Sequence, residues 1–385
     1  MPKRRFAFAV SSVNGFLEIL RRALAISLVL LMPPTLAAYL GEQGIPGFTW
    51  SLPQIGWPWI LWVGVAMGVA GAIAWSILAH DRNNETFHAW ADLLVRHSLA
   101  LIFFTYGLSK LFRLQFYEPY YYWQETPAGD LNGFAVTWFF FGSSYAYSVF
   151  VGMGEILSAA LLLARRTRTA GALLLVVVAS NILAVNIAYD IGVAWFAGMM
   201  LAGAFYVLMD DVPRLLHVLA GDGPTPARRE PIRTGGIRTV SAVTGMIAVL
   251  IPVIDKVRDV PRGAPVVTAL TGAWARVDGG GTPVRGGNGA GASPMELRSP
   301  GWDRITFEKN FGGQQVHVRM GGAFVAGRFR ADTVARTLRI TLQNAVRGET
   351  WFAGRYEITA DTLAVLRGTV GEDSIAIRLV RVRSP

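Results

Sequence analysis

Seven apolar runs dominate this chain, near Ala23–Leu40, Pro58–Ala79, Leu94–Phe112, Tyr145–Ala164, Ala170–Tyr189, Ile191–Met209 and Gly235–Ile254. Each approaches the roughly 20 residues that a helix needs to cross about 30 Å of hydrocarbon. In lipid every backbone amide must be satisfied within its own segment, which leaves helices as the available form for such runs. The first run contains Pro33–Pro34 and is expected to kink. The basic region before it extends to Arg22, long for the amino-terminal part of a cleaved leader, so an uncleaved anchor is expected. Composition agrees: 16% of the 385 residues are charged and 52% are hydrophobic, against about 25% charged in soluble domains.

The net charge of +10 gathers at the ends of the apolar runs. Lys3, Arg4, Arg5, Arg21 and Arg22 precede the first, Arg82 follows the second, and Arg165, Arg166 and Arg168 follow the fourth. Arg214, Arg228, Arg229, Arg233 and Arg238 precede the seventh. If all seven runs span, these groups share one side, which the positive-inside rule makes cytoplasmic. The expected location is a bacterial inner membrane, with the amino terminus cytoplasmic and the carboxyl-terminal region outside. Arg238 cuts into the seventh run, the weakest of the spans. Nothing resembles the basic stripe of a nucleic-acid binder.

From about Gly263 the pattern changes to period two. Val316, Val318 and Met320 alternate with His317 and Arg319, Leu338, Ile340 and Leu342 with Arg339 and Thr341, and Ile375, Ile377 and Leu379 with Ala376 and Arg378. Such runs predict an antiparallel barrel or sandwich. The Gly/Pro-rich insert Asp278–Ser293 reads as a hairpin tip; it lacks the lysine and following helix of a phosphate loop. The expected organisation is a helix pair over 1–85, a four-helix bundle over 86–212, a basic linker and seventh helix over 213–263, and a β-barrel over 264–385.

Glu155 lies mid-way along the fourth run, too deep to reach water by extending its side chain. A carboxylate there costs several kcal/mol unless it is paired, protonated or facing a wet cavity. It reads either as a packing device or as a proton-accepting, ligand-orienting group paired with Lys110 or Arg96. Arg96, Gly107 and Lys110 fall on one stripe of the third run, the two cations roughly 21 Å apart along the axis. Either cation could instead be a boundary residue reaching for the interface. Asn181 and Asn186 read as interhelical hydrogen-bonding groups or pocket groups, and Asp190 as a cap. Leu114 to Ser144 carries eleven aromatic residues between Phe116 and Phe141, Trp138 among them, which suits an interfacial belt or a re-entrant lid over a pocket between the third and fourth helices.

With no cysteine, the chain holds no disulfide, Cys-ligated zinc or thiol relay. His80, His88, His97, His217 and His317 are too scattered for a metal site, and no HExxH, Walker or GxSxG pattern occurs.

Residues 93–210 resemble the four-helix core of the DoxX family of bacterial membrane proteins. The matching features are Arg96, Tyr106-Gly107-Leu-Ser-Lys110-Leu111 and Gly154-Glu155-Ile156 followed by Leu-Leu-Leu-Ala-Arg165-Arg166. The stretches from Trp138 through Tyr145 to Tyr147, and from Asn181 to Asp190, resemble a longer subgroup of that family. The resemblance implies a quinone- or lipid-associated subunit of a membrane oxidoreductase, with a partner redox subunit supplying electrons. A non-catalytic scaffold presenting a binding domain, or a transporter, are the other classes considered. In the β region, Gly272-Ala-Trp274 resembles the Gly-x-Trp of lipocalin-like barrels. That implies a Trp274 plug with a stacked arginine from the last strand, Arg378 or one near Arg381.

Overall fold

The computed structural model describes residues 13–42, 57–78, 84–221, 235–263, 269–277, 302–310, 313–343, 350–360, 362–370 and 373–382. The Asp278–Ser293 tip and the basic positions Lys3, Arg4, Arg5, Arg82, Arg228, Arg229 and Arg233 lie outside them. The chain divides into two units, one of residues 1–116 with 144–259 and the other of 117–143 with 260–385.

The first unit is helical. Its elements are α1 (Val13–Glu42), α2 (Trp57–Leu78), α3 (Asn84–Leu111), α6 (Tyr145–Leu163), α7 (Arg168–Ala188), α8 (Ala194–Met209), α9 (Val212–Ala220) and α10 (Gly235–Gly263). Among the described residues, five helical stretches are long and apolar enough to cross a membrane: Leu17–Leu36, Glu85–Leu111, Tyr145–Leu163, Arg168–Ala188 and Gly236–Asp259. The second and sixth of the seven expected spans do not reach that length on their own among the described residues. The sixth run is too short alone and qualifies only with α9, from which it is bent by 71°, and the second contributes the shorter stretch Trp62–Leu78.

Small residues set the helix spacing. A Cβ on Gly68 of α2 would lie 2.7 Å from the Ala23 carbonyl of α1. One on Gly107 of α3 would lie 2.7 Å from the Gly152 carbonyl of α6, and one on Gly152 would lie 2.8 Å from the Gly107 carbonyl. Backbones this close gain the dispersion contacts that hold helices together where lipid removes the hydrophobic drive. α3 is the enclosed helix of the bundle, with Val95, Leu99, Ala100, Ile102 and Phe103 buried.

The second unit contains a closed antiparallel barrel of eight strands in sequence order. They are β1 (Gly272–Arg276), β2 (Trp302–Asn310), β3 (Gly313–Met320), β4 (Ala323–Asp332), β5 (Thr337–Leu342), β6 (Phe352–Ala360), β7 (Leu363–Val370) and β8 (Asp373–Arg381). β1 pairs with both β2 and β8, so the sheet has no free edge. The period-two alternation turns Ile305, Phe307, Val316, Val318, Phe329, Ile340, Leu366, Ile377 and Leu379 into one buried core.

Trp274 is fully buried, and its Nε1 donates to the Leu270 carbonyl at 2.8 Å. The arginine over its ring is Arg381, 4.6 Å from the ring centroid, which also donates to the Ala269 carbonyl at 2.7 Å. Arg378 is not the partner. Trp274 pairs with Arg381 across β1 and β8, and Ile377 and Leu379 share that inward parity, which leaves Arg378 outward and exposed. Gly272 adopts φ 132°, with its Cβ position 3.8 Å from Arg381 Nε.

The domain boundaries differ from expectation in one respect. The aromatic segment 117–143, placed within the bundle by sequence, belongs to the barrel unit. It forms α4 (Tyr121–Gln124), a 3-10 turn at Ala128–Asp130 and α5 (Gly133–Ser143). Its first part packs on the outer face of β2 and β3. The Tyr122 ring stacks on His317 at 3.8 Å, and Glu125 pairs with Arg304 at 3.1 Å.

Candidate functional site

Within the bundle, α3 and α6 pack closely at Gly107 and Gly152, where the Lys110 stem lies beside Gly152 and its side chain reaches Glu155. Lys110 Nζ lies 2.9 Å from both Glu155 oxygens. Glu155 is fully buried and Lys110 is 4% exposed. Nζ also donates to Gln115 Oε1 at 2.9 Å and lies 5.6 Å and 5.3 Å from the Tyr106 and Phe116 ring centroids. Glu155 Oε2 accepts its hydrogen bond, whereas Oε1 accepts none among the described residues. Such a pair gains Coulomb energy in a dry interior but loses several kcal/mol per ion in desolvation, so stability alone is a weak reason for it.

Arg96 occupies a different place. Its Nη1 donates to the carbonyls of Leu162 and Leu163 at 2.9 and 3.2 Å, where the negative end of the α6 dipole terminates, and Asp92 lies 3.7 Å from its Nε. Asn186 is buried, donates to the Ile182 carbonyl at 2.8 Å and leaves its Oδ1 without a hydrogen bond. Gly154 faces Val178 across α6 and α7, so Asn186 lies about 12 Å further along the axis. Asn181 is exposed. Tyr145 donates its hydroxyl to the Leu111 carbonyl at 2.9 Å and carries the Arg113 guanidinium 4.5 Å over its ring. Trp138, in the second unit, stacks on Phe134 at 3.9 Å.

Two clusters were not read from sequence. In the bundle, Arg168 contacts Asp92 and Asp211, both at 3.3 Å, and Asp210 at 3.9 Å. Arg21 reaches Asp210 at 2.6 Å, and Thr169 donates to Asp211 at 2.6 Å. Arg21 and Arg168, read as topological charges, thus tie α1, α3, α7 and the α8–α9 corner together. The available signal was acidic residues, Asp92, Asp210 and Asp211, set beside helix ends otherwise rich in arginine.

The other cluster is on the barrel's outer face beneath Tyr122. Glu308 accepts from the Tyr122 backbone amide at 3.3 Å and from the Thr306 hydroxyl at 3.5 Å. His317 Nδ1 lies 4.0 Å from Glu308 Oε1. Burial is the largest influence on each: it pushes the Glu308 carboxyl up to about 7 and the His317 imidazole down to about 4. The distance would admit an ion pair, but both shifts run toward the uncharged forms. Between those values the two are therefore a protonated acid beside a neutral imidazole.

The described residues contain no group of three or more His, Asp or Glu that would hold a metal ion. Among proteins of known sequence, the chain is 36% identical over 134 residues to the uncharacterized protein YwoB of Bacillus subtilis (strain 168), a match covering 35% of this chain and 80% of that protein. No family model matches. No solved structure matches either.

Proposed function

We propose, for a chain that belongs to the family of the uncharacterized Bacillus subtilis protein YwoB, that its bundle is a quinone- or lipid-associated subunit of a membrane oxidoreductase system. The observation that carries this reading is the enclosed Lys110–Glu155 ion pair in the interior of an apolar bundle. An ionisable pair inside a membrane bundle is a functional-site hypothesis by default. Lys110 would place positive charge where negative charge develops on a quinone oxygen, and Glu155 would hold or release the accompanying proton. Because the chain has no cysteine for a thiol relay, the electrons would be carried by a bound small molecule or by a partner subunit. That the bundle is DoxX-like, the resemblance read from the sequence, is part of the same proposal.

The orientation follows from charge and from parity. Segment 117–143 follows α3, and its partner strands follow α10. Their packing in one unit requires an even number of crossings between them. If α6, α7 and the α8–α9 pair each cross, α10 must cross too. With the arginine-rich ends taken as cytoplasmic, this supports a reading in which the barrel is on the outer side of a bacterial inner membrane. Alkaline phosphatase, which is active only outside, should then work when fused after Pro385 and fail when fused after Arg168.

The test of function is to extract the protein in mild detergent and identify co-purifying quinone or lipid by mass spectrometry, in the parent and in Glu155→Gln. Loss of a stoichiometric molecule at normal abundance supports the reading. A second reading, a non-catalytic scaffold presenting the barrel, is favoured by the complete enclosure of Glu155. It would be accepted if no molecule co-purifies with either protein.

A further inference from the structure

The outer face of the barrel away from β2 and β3 carries a row of arginines. Arg330 on β4 is directly opposite Arg339 on β5, and Arg355 on β6 is directly opposite Arg367 on β7. Arg339 pairs with Ala353, which makes Arg355 its diagonal neighbour, and Arg367 pairs with Ala376, which makes Arg378 its diagonal neighbour. Arg328 adds a further cation on β4, opposite Thr341. All six are exposed, and each alternates with buried inward residues such as Phe329, Ile340, Tyr356, Leu366 and Ile377. Directly opposed residues lie about 5 Å apart and diagonal ones about 7–8 Å, so the row is unbroken from β4 to β8.

Like charges set directly opposite each other destabilise a sheet, and this barrel does so twice. Arg304–Glu125 places an arginine–carboxylate ion pair on β2, and Arg319–Asp303 joins β3 to β2. Arg328, Arg330, Arg339, Arg355 and Arg367 enter none among the described residues. Two described carboxylates share this face with the six arginines, Asp332, which accepts from the Val334 and Ala335 amides, both at 2.8 Å, and Glu357.

We propose that this row is a binding surface for a flexible linear polymer of phosphates. Curvature and composition select the partner. The row crosses five adjacent strands of an eight-stranded closed barrel, more than half its circumference, so a flat lipid surface meets only part of it while a chain can wrap it. The outward positions between the arginines are Thr337, Thr341, Ala353, Thr369 and Ala376. None offers the ring on which an unpaired base would stack, so the surface reads repeated phosphate charge without bases.

The test uses the full chain in detergent or nanodiscs with fluorescent inorganic polyphosphate as probe, titrated by anisotropy across a range of salt. Each neutralised phosphate contributes about −0.7 to the slope of log K against log salt for a single-stranded polyanion. The fourfold change Arg330→Gln, Arg339→Gln, Arg355→Gln and Arg367→Gln should therefore flatten the slope by about 3 and weaken low-salt binding more than tenfold. Removing opposed like charges should leave the thermal midpoint unchanged or higher, so lost binding would not reflect lost fold. Oligothymidylate of equal charge and vesicles of phosphatidylglycerol should bind more weakly, and with less dependence on the four arginines. Absence of polyphosphate binding at low salt, or an unchanged slope in the fourfold variant, overturns the proposal. So does tighter arginine-dependent capture by oligothymidylate or by vesicles, which would assign the surface to single-stranded nucleic acid or to membrane.

Discussion

Replacing His317 by Asn should turn a barrel cover that is nearly indifferent to pH into one that loosens as pH rises. Glu308 is raised from 4.5 to about 7 and His317 is lowered from 6.5 to about 4. At about 1.4 kcal/mol per pKa unit, each shift corresponds to about 3 kcal/mol of coupling between protonation and docking of the Tyr122 segment. The signs are opposite. The raised Glu308 contributes stability that is full below 4.5 and is lost as pH rises through 7. The depressed His317 contributes stability that is full above 6.5 and is lost as pH falls through 4. Over pH 4.5–6.5 the docked and exposed pairs each hold one proton, on the carboxyl when docked and on the imidazole when exposed. The parent's docking should therefore vary by less than about 1 kcal/mol across pH 4–8. His317→Asn keeps only the Glu308 shift and should lose about 3 kcal/mol of local protection between pH 4.5 and 7. Glu308→Gln keeps only the His317 shift and should lose a similar amount between pH 6.5 and 4. Hydrogen exchange of the full chain, corrected for intrinsic rates and read on peptides covering 117–125 and 302–320, measures this directly. A flat profile in His317→Asn, or protection that rises with pH, would refute the reasoning.

Two further outcomes follow from packing. Trp274→Ala should destabilise the barrel by about 3–5 kcal/mol, the range for a large buried aromatic, and Arg381→Gln should destabilise it measurably while Arg378→Gln should not, all by denaturant unfolding. Gly152→Leu should reduce folded protein in membranes, because a side chain there meets the Gly107 carbonyl and the Lys110 stem at 2.8–3.0 Å; normal abundance would show that α3 and α6 can separate freely.

The sequence alone carried the barrel because alternation needs no partner to be read: Val316 and Val318, Leu338 and Ile340, Ile377 and Leu379 mark their own inward faces. It carried Glu155 and Lys110 because charge in an apolar run is conspicuous at any fold. Pairings that depend on a distant element were not legible. Glu308 and His317 occupy outward positions on amphipathic strands and would be read as solvated, and they are buried only because Tyr122, from a segment far earlier in the chain, lies over them. Asp92, Asp210 and Asp211 likewise gain their meaning from Arg168 and Arg21 on other helices. The choice between Arg378 and Arg381 turned on strand parity relative to Trp274, which requires the β1–β8 register. The sixth run was less legible for a different reason: its helix, Ala194–Met209, reaches spanning length only together with Val212–Ala220 beyond a 71° bend, a helix that the run as read from sequence did not include.

A double-mutant cycle on Lys110 and Glu155 tests the central claim most directly, with abundance in the membrane and retention of the co-purifying molecule as readouts. Removing one member strands the other as an uncompensated buried charge, a loss of about 3–5 kcal/mol, so Lys110→Gln should lower both readouts. Glu155→Gln likewise strands the Lys110 ammonium, but it restores a neutral donor–acceptor group beside it and should affect mainly retention. The double variant Lys110→Gln with Glu155→Gln should recover abundance above Lys110→Gln alone while remaining unable to retain the molecule. Strict additivity of the two changes would show that the groups do not act as a pair, and full retention by the double variant would remove the pair from the function altogether.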